Sequence, residues 1–241
     1  MASLAMPVRP RVEATPLTVP PRVAASRTTV PTLAVGAALA GYAGLYWLVR
    51  TKRSEAFDLA WSLRLQRRRR PWLDRLMTAV SWPGFPPQSR LIPSTLISAL
   101  SLAGFPREAA FLAIGWGSAA VSSGLKTLMD RPRPVAGQDL RVVVAPLGGS
   151  SFPSGHVLTF VGTYGFAGYL AATLLRPEPV RAAAVGGCVA LVVLVGPSRI
   201  YQGHHWPTDV TASYLVGFAW LLAVVAGYRR AIAPIAEDAA G

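Results

Sequence analysis

Residues 198–209 read SRIYQGHHWPTD and separate two long apolar runs of the chain. This short stretch holds an arginine, two histidines and a carboxylate. Ionisable groups are costly at membrane depth and usually mark function there. An arginine that binds an anion, a histidine that attacks or transfers protons, and Asp209 one helical turn after that histidine together indicate phosphoryl-transfer chemistry.

The composition indicates an integral membrane protein. Hydrophobic residues make up 52% of the 241 residues and charged residues only 15%, whereas a soluble globular protein carries about 25% charged residues. The formal net charge of +13 indicates an anionic membrane surface or an anionic substrate as partner. We do not expect nucleic acid as a partner, because the basic residues flank hydrophobic runs. The single cysteine, Cys188, cannot form an intramolecular disulfide and is expected to be a packing residue.

Hydropathy predicts an all-α fold, a bundle of six transmembrane helices in one domain over residues 31–230. A helix needs about 20 apolar residues to cross a bilayer, and the second of the six runs is short for a span. The runs cover residues 31–49, 91–104, 108–125, 157–175, 182–195 and 208–227.

Three segments are expected to lie outside the spans. Residues 54–81 alternate apolar and charged residues and contain four consecutive arginines at 67–70, which predicts an interfacial amphipathic helix among anionic lipid headgroups. Residues 1–30 are rich in proline and arginine and are expected to form a disordered basic tail. Residues 231–241 are expected to form a short C-terminal tail.

If all six runs cross the membrane, three polar clusters share one face, at the ends of spans three and five and the starts of spans four and six. The first cluster is KTLMDRPRP, residues 126–134. It offers Lys126 as a point charge, and Arg131 and Arg133 as planar forks for phosphate oxygens. Taken alone, it is also typical of a juxtamembrane charge cluster that contacts lipid headgroups.

The second cluster is SFPSGH, residues 151–156, immediately before an apolar run. Ser154 is a natural helix cap, Gly155 lets the backbone approach a ligand, and the unpaired N–H groups of the helix start would bind an anion. Taken alone, this cluster is equally typical of an ordinary helix start with a hydrogen-bonded His156.

The third cluster is the stretch at residues 198–209. Arg199 adds charge for an anion, and Asp209 follows His205 by four residues, so their side chains can meet across one helical turn. A carboxylate that holds one imidazole nitrogen leaves the other as a nucleophile. The residue four positions after His204 is Thr208, which has no carboxylate to hold an imidazole. We therefore interpret His204 as a loop residue or a secondary contact.

A metal site is not expected. A hydrolytic metal centre needs three or more convergent His, Asp or Glu ligands, and the chain has only 3 histidines and few carboxylates at this face. The cations of the three clusters would repel a metal ion and attract an anion. We therefore expect metal-free chemistry with no cofactor.

In order and without a mismatch, the clusters read Lys-x6-Arg-Pro (126–134), Pro-Ser-Gly-His (153–156) and Ser-Arg-x5-His-x3-Asp (198–209). This pattern resembles the three-part signature of the type 2 phosphatidic acid phosphatase superfamily, and the resemblance covers about residues 120–215. Three spaced motifs together are far more specific than any one of them. The superfamily also contains soluble vanadium haloperoxidases, but six apolar runs indicate the membrane branch.

The resemblance implies a role for each motif residue. His205 would attack phosphorus and form a phosphohistidine, and Asp209 would orient it. His156 would protonate the leaving alkoxide and then deprotonate the incoming water. Arg131 lies outside the strict motif and is expected to be auxiliary. The phosphoryl oxygens would be held by Lys126, Arg133, Ser154, the Gly155 amide and Arg199.

The resemblance also implies a multi-pass lipid phosphatase of the plasma or inner membrane, with its active site on the extracytoplasmic face. Its substrate would be a lipid phosphate monoester or an isoprenoid diphosphate, of the phosphatidate, phosphatidylglycerophosphate or undecaprenyl diphosphate type. Two alternatives stay open, a lipid phosphotransferase and a non-catalytic lipid binder or transporter. The positive-inside rule opposes this orientation, because residues 50–90 are the most basic part of the chain and would follow span one on the outer side.

Overall fold

The computed structural model describes residues 32–68, 70–135, 140–142 and 148–232, and within these ranges the regular secondary structure is entirely helical, as predicted. The α-helices are α1 (Thr32–Arg50), α2 (Glu55–Gln66), α3 (Pro71–Ser81), α4 (Gln88–Leu102), α5 (Pro106–Trp116), α6 (Ser118–Lys126), α7 (Gly155–Leu174), α8 (Glu178–Tyr201) and α9 (Pro207–Ile232). A single 3-10 turn, Trp82–Gly84, precedes α4. The tail predicted at residues 1–30 lies outside the described residues, as do residues 233–241.

Four of the described helices are long and apolar enough to cross a membrane, and these are α1, α7, α8 and α9. By contrast, α4 has 15 residues, and the predicted third span divides at Gly117 into α5 and α6. The two remaining spans of the predicted six are therefore shorter or divided helices. The coarse prediction of a helical membrane protein is confirmed, and the count of six spans stays a prediction.

Two helices differ from the predicted runs at the ends that carry the motifs. The run predicted over residues 182–195 is part of the longer α8, which contains Pro197 and places Arg199 in its last turn. Hydropathy ends this run early because a proline and an arginine follow it, although the helix continues through both. At the other side of the motif, α9 begins at Pro207, a residue whose fixed φ favours the first helical position, and it extends past the predicted domain end at residue 230.

The amphipathic helix predicted over residues 54–81 is two helices, α2 and α3, with the run of arginines between them. The inward face of α2 is polar, because Asp58, Ser62 and Gln66 are buried there, whereas Phe57 and Trp61 are about half exposed. This arrangement is the reverse of a helix on a soluble protein, and exposed aromatic rings are typical of a membrane interface. It brings an acidic residue, Asp58, into the interior.

The central helix of the bundle is α7, which packs against α5, α6, α8 and α9. It is apolar on most sides, and a helix of that kind is buried by its neighbours. Phe160 belongs to one buried apolar cluster together with Val195, and Phe166 belongs to a second together with Tyr228. Because α7 is held on several sides, the motif residues at its first turn have a fixed position.

Glycines bring α7 close to its neighbours. A Cβ added to Gly115 of α5 would lie 2.6 Å from the carbonyl oxygen of Gly162 in α7, so the two backbones touch where these helices cross. Lipid tails are as apolar as the bundle core, so helices in a membrane associate through close packing of small residues rather than through the hydrophobic effect. A Cβ added to Gly168 would lie 3.1 Å from Cβ of Cys188, which places the cysteine in the contact between α7 and α8.

Candidate active site

The structure brings the three motif clusters together at the end of the bundle where α6 ends and α7 and α9 begin. His205, which is 2% exposed, contacts the other two clusters. Its Nε2 lies 3.2 Å from Nη1 of Arg133, and its Nδ1 lies 2.7 Å from the carbonyl oxygen of Ser151. The backbone N–H of Ser154 donates to Oγ of Ser213 in α9, 2.6 Å away. Residues that are more than 50 positions apart in the sequence thus form one site.

The hydrogen bonds of the His205 ring determine which nitrogen can act as a nucleophile. The carbonyl oxygen of Ser151 can only accept a hydrogen bond, so Nδ1 carries the hydrogen and Nε2 keeps its lone pair. Asp209, the neighbour predicted from the sequence spacing, has Oδ2 at 3.6 Å from Nδ1, which is an ion-pair distance rather than a hydrogen bond. Sequence reasoning missed Ser151 because a backbone acceptor has no signature in residue type.

The surroundings of His205 also keep its ring neutral. Burial lowers the pKa of His205 well below its ordinary value of 6.5, and the nearby charges of Arg199, Arg133 and Lys126 lower it further. The hydrogen bond to the Ser151 carbonyl raises this pKa, but it is the smallest of these effects. Nε2 is therefore unprotonated at neutral pH, as a nucleophile requires.

A buried ion-pair network lies behind Asp209, which is 0% exposed. One of its oxygens accepts the backbone N–H of Trp206 at 2.8 Å, and the other pairs with the guanidinium of Arg131. The same guanidinium reaches Oδ2 of Asp58 at 2.6 Å. Asp58 also accepts the backbone N–H and the hydroxyl of Thr208, each at 2.9 Å. Arg131, expected as an auxiliary group, is thus bound between two carboxylates.

Two further arginines of the motifs surround the two histidines. Arg199 is fully buried, donates to Oε1 of Gln202 at 2.9 Å and contacts Nδ1 of His204. Arg133 donates to the carbonyl oxygen of His204 at 2.9 Å, and burial lowers the pKa of Arg133. His204, interpreted as a secondary contact, lies between these two cations.

The first turn of α7 presents the second motif. The His156 ring packs edge-on against the ring of Phe85, with 4.8 Å between ring centroids. Phe85 also lies beneath the guanidinium of Arg199, 5.0 Å from its ring centroid. A Cβ added to Gly155 would lie 3.2 Å from Oγ of Ser122, so this glycine leaves the backbone accessible. Phe85, which sequence reasoning did not single out, thus contacts both His156 and Arg199.

Several buried polar atoms of the predicted site have no hydrogen-bond partner among the described residues. Buried polar groups are nearly always paired, and leaving one unpaired costs about 1–3 kcal/mol. An anion with several oxygens would pair with all of these atoms at once. They come from all three motifs and are Nε of Arg133, Oγ of Ser154, Nε2 of His156 and Nε of Arg199.

Two cavities flank the site. The larger, about 730 Å³, lies between α1, α2 and the segment after α6, and Arg131, Arg133 and Trp206 line it. The smaller, about 340 Å³, lies between the 3-10 turn, α4, α6 and α7, and Lys126 and His156 line it. Within the described parts of the chain, no group of three or more His, Cys, Asp or Glu is placed to hold a metal ion.

A curated relative matches part of the chain. It is an undecaprenyl-diphosphatase from Sulfolobus acidocaldarius, 42% identical over 71 residues, which is 30% of this chain and 30% of that protein. The chain thus aligns with less than a third of the relative's length.

Two solved structures are similar to this one. A transmembrane PAP2 type phosphatidylglycerolphosphate phosphatase from Bacillus subtilis has a TM-score of 0.65 and 25% identity, over 80% of this chain and 94% of that one. Aquifex aeolicus LpxE has a TM-score of 0.56 and 24% identity, over 70% of this chain and 95% of that one, a likeness of fold alone.

The four long apolar helices and the transmembrane neighbour together make this an integral membrane protein. The family model of the PAP2 superfamily matches residues 108–233, which is more than half of the chain and includes all three motifs. The protein therefore belongs to the PAP2 superfamily.

Proposed function

We propose that the protein is a metal-independent lipid phosphatase that hydrolyses a lipid phosphate monoester or an isoprenoid diphosphate through a phosphohistidine intermediate. The observation that carries this proposal is the set of unpaired buried atoms contributed by all three motifs around His205. A phosphoryl group has several oxygens and would pair with them. Two of the relatives named above, an undecaprenyl-diphosphatase and a phosphatidylglycerolphosphate phosphatase, support the same substrate class for this chain.

In the first step, Nε2 of His205 attacks phosphorus and the bond to the leaving oxygen breaks. The ring gains positive charge in this step, and Asp209, whose Oδ2 lies 3.6 Å from Nδ1, stabilises that charge. The Ser151 carbonyl holds Nδ1–H and keeps the ring in the reactive orientation. This arrangement of a histidine, a carboxylate and an orienting acceptor resembles a catalytic triad in which the histidine itself is the nucleophile.

His156 acts on the opposite side of the phosphorus. Its Nε2 is buried and has no partner among the described residues, so it can contact the leaving oxygen, and the protonated ring donates its Nε2 proton to that oxygen and becomes neutral. In the second step the same nitrogen takes a proton from water, which attacks the phosphohistidine and releases inorganic phosphate. General acid–base catalysis of this kind contributes about 10²–10⁴-fold in rate.

The cations and the helix start hold the phosphoryl oxygens. Arg133 and Arg199 offer their Nε–H groups, and Ser154 offers its hydroxyl. Lys126 adds a point charge, and the Gly155 amide at the start of α7 adds a donor with the favourable helix dipole behind it. Charge builds on the three oxygens during transfer, and fixed donors in a dry site stabilise it.

The two cavities lie on opposite sides of the position that we propose for the phosphorus. Attack and departure are roughly in line, so the leaving group lies beside the proton donor and away from the nucleophile. The 340 Å³ cavity contains His156, whereas Arg133, the neighbour of Nε2 of His205, lines the 730 Å³ cavity. We therefore place the lipid part of the substrate in the smaller cavity, between α4, α6 and α7.

We also propose that the shorter helices complete a six-span layout. Gly84 and Phe85, just before α4, contact His156, so α4 starts at the site end of the bundle. Lys126, the last residue of α6, is at the same end, so α5 and α6 together return the chain to it. We further propose that this end faces the extracytoplasmic side of a plasma or inner membrane, although residues 50–90, which include α2 and α3, are the most basic part of the chain. Reporter fusions at residues 65 and 145 test this, and a cytoplasmic signal from both would overturn it.

The activity test uses purified protein with phosphatidate, phosphatidylglycerophosphate and a polyprenyl diphosphate, each assayed for phosphate release in the presence of chelator. We expect the wild type to release phosphate from at least one lipid and His205→Ala to lose about 10⁴-fold or more. Cys188→Ala, which alters a packing residue on α8, is the matched control. Activity that survives His205→Ala, or that chelator abolishes, would overturn the proposal.

A further inference from the structure

The 340 Å³ cavity is polar well beyond the reacting groups. Pro83, Gly84, Pro93, Trp116, Ala119 and Phe160 provide its apolar walls. The remaining lining beside Lys126 and His156 consists mainly of hydroxyl groups and one arginine, from Ser89, Arg90, Ser122, Ser123, Thr159, Thr163 and Tyr164. If the cavity received only a hydrocarbon tail, these polar groups would lie against apolar atoms without hydrogen-bond partners, which is unfavourable.

The polar lining begins next to the reacting groups and continues past them. Oγ of Ser122 lies 3.2 Å from the position of a Cβ on Gly155, and Thr159 and Thr163 follow His156 on the same face of α7. Thr163 belongs to the cavity lining, it is fully buried, and its hydroxyl has no hydrogen-bond partner among the described residues. The polar residues of the lining thus extend for about two helical turns beyond His156.

Arg90 faces this lining from the first turn of α4. It is exposed at the rim of the cavity, and within the described part of the chain its guanidinium makes no ion pair or hydrogen bond. A cation in the first turn of a helix is opposed by the helix dipole, so Arg90 does not stabilise α4. An anion bound in the cavity would give this arginine a partner.

Whether a substrate needs a cation at the position of Arg90 depends on the charge of its leaving group. A phosphate monoester leaves as an alkoxide that needs only a proton from His156, and its first methylene groups follow directly. A diphosphate leaves as a lipid monophosphate, which carries negative charge and extends the headgroup into the polar lining. Arginine recognises phosphate oxygens through its planar fork of donors.

We propose that Arg90, with the hydroxyls of Ser122 and Thr159, binds the inner phosphate of a lipid diphosphate and that this protein is a diphosphatase. The inference rests on the proposed function and refines its substrate class. Nε2 of His205 attacks the terminal phosphorus, and the bond from that phosphorus to the bridging oxygen breaks. The electron pair stays on the bridging oxygen of the lipid monophosphate, which takes the proton of His156. Water then hydrolyses the phosphohistidine to inorganic phosphate.

The test compares a polyprenyl diphosphate and a polyprenyl monophosphate with the same tail, in wild type, Arg90→Gln and Arg90→Lys. We expect the wild type to prefer the diphosphate in kcat/KM. Arg90→Gln lowers the ratio of kcat/KM for diphosphate over monophosphate at least about 10-fold, because a charge-assisted contact to the leaving phosphate is lost. Arg90→Lys restores part of that ratio, because it keeps the charge but not the fork.

Arg107→Gln is the matched control. Arg107 also lies exposed in the first turn of its helix, α5, but it does not line the cavity. A wild type that prefers the monophosphate, or a ratio that Arg90→Gln leaves unchanged, would overturn the diphosphate assignment while the proposed phosphatase stands. A wild type that hydrolyses neither these lipids nor phosphatidate or phosphatidylglycerophosphate would overturn the proposed function itself.

Discussion

The Nδ1–H of His205 donates to the carbonyl oxygen of Ser151 at 2.7 Å. The ring of the proposed nucleophile is therefore oriented by the backbone of the second motif, and the carboxylate of Asp209 is a second neighbour at 3.6 Å. This relationship separates two tasks that a single carboxylate performs in a serine-protease triad, namely selection of the tautomer and stabilisation of the imidazolium. A substitution of Asp209 can therefore distinguish tautomer selection from stabilisation of the imidazolium.

Asp209→Asn tests which group selects the tautomer. In a triad where the carboxylate does so, the amide substitution costs about 10⁴-fold in kcat. Here the Ser151 carbonyl keeps the hydrogen on Nδ1, so we expect a loss of about 10–100-fold, from weaker stabilisation of the charged ring. Steady-state kinetics of Asp209→Asn beside His205→Ala measures this. If both variants lose the same activity, the carboxylate and not the carbonyl orients His205.

Asp58→Asn tests the ion-pair network. Removing one partner of a buried ion pair leaves a charge uncompensated and costs about 3–5 kcal/mol of stability. We expect Asp58→Asn to lower the unfolding temperature and to reduce kcat as Arg131 shifts against Asp209. Ser62→Ala, one turn further along the same buried face of α2, is the control.

The double variant Asp58→Asn/Arg131→Gln separates a direct coupling from two independent effects. Because Asp58 and Arg131 are in contact, the losses of stability should not add, and the double variant should lose less than the sum of the single ones. Additive losses would show that Asp58 does not act through Arg131.

The pH profile of kcat/KM reports the ionisation of groups in the free enzyme. Burial and the cations around His205 lower its pKa well below 6.5, so the ring loses its proton at a lower pH than usual. We expect the acidic limb of the profile to lie well below pH 6.5. Arg133→Gln removes the charge 3.2 Å from Nε2 and should move this limb upward, toward the ordinary value.

The control for this profile is Arg141→Gln, because Arg141 pairs with Asp74 and is not among the charges that lower the pKa of His205. It should leave the acidic limb in place. An acidic limb above pH 6.5 in the wild type, or one that Arg133→Gln does not move, would contradict the assignment of this limb to His205.

Gly84→Ala tests the position of His156. A Cβ at Gly84 would overlap Cδ2 of His156 and lie 2.8 Å from its Nε2, so the ring must move. A displacement of about 1 Å in a catalytic group costs roughly 10²-fold in rate, and we expect a kcat loss of this order with little change in thermal stability. Gly186→Ala on α8, where a Cβ meets nothing within 4 Å, is the control. Unchanged kcat in Gly84→Ala would mean that His156 does not act from this position.

The sequence was sufficient where chemistry depends on side-chain type and short spacing. The motif spacing predicts that His205 and Asp209 are neighbours across one turn, and the family resemblance it carries is confirmed by the family model. The alternation of apolar runs with the three clusters predicts that the clusters share one end of the bundle. These inferences need only the periods of a helix and the width of a bilayer.

Other parts of the site could not be predicted from the sequence, for physical reasons. Asp58 occurs in a stretch that predicts an interfacial amphipathic helix, and only the packing of α2 shows that its polar face points inward. Ser151 contributes a carbonyl oxygen that every residue has. The end of α8 was missed because hydropathy falls at Pro197 and Arg199, although the helix continues through them.

The Gly115–Gly162 crossing lies outside the three motifs, yet it sets how closely α5 approaches α7. Lys126 is eleven residues after Gly115 along α5 and α6, and His156 is six residues before Gly162 along α7. At about 3.6 residues per helical turn, both residues lie more than one turn from the point where the backbones touch. A methyl group inserted at this crossing would push α5 away from α7, and it would change the environment of Lys126 and His156 without touching either residue.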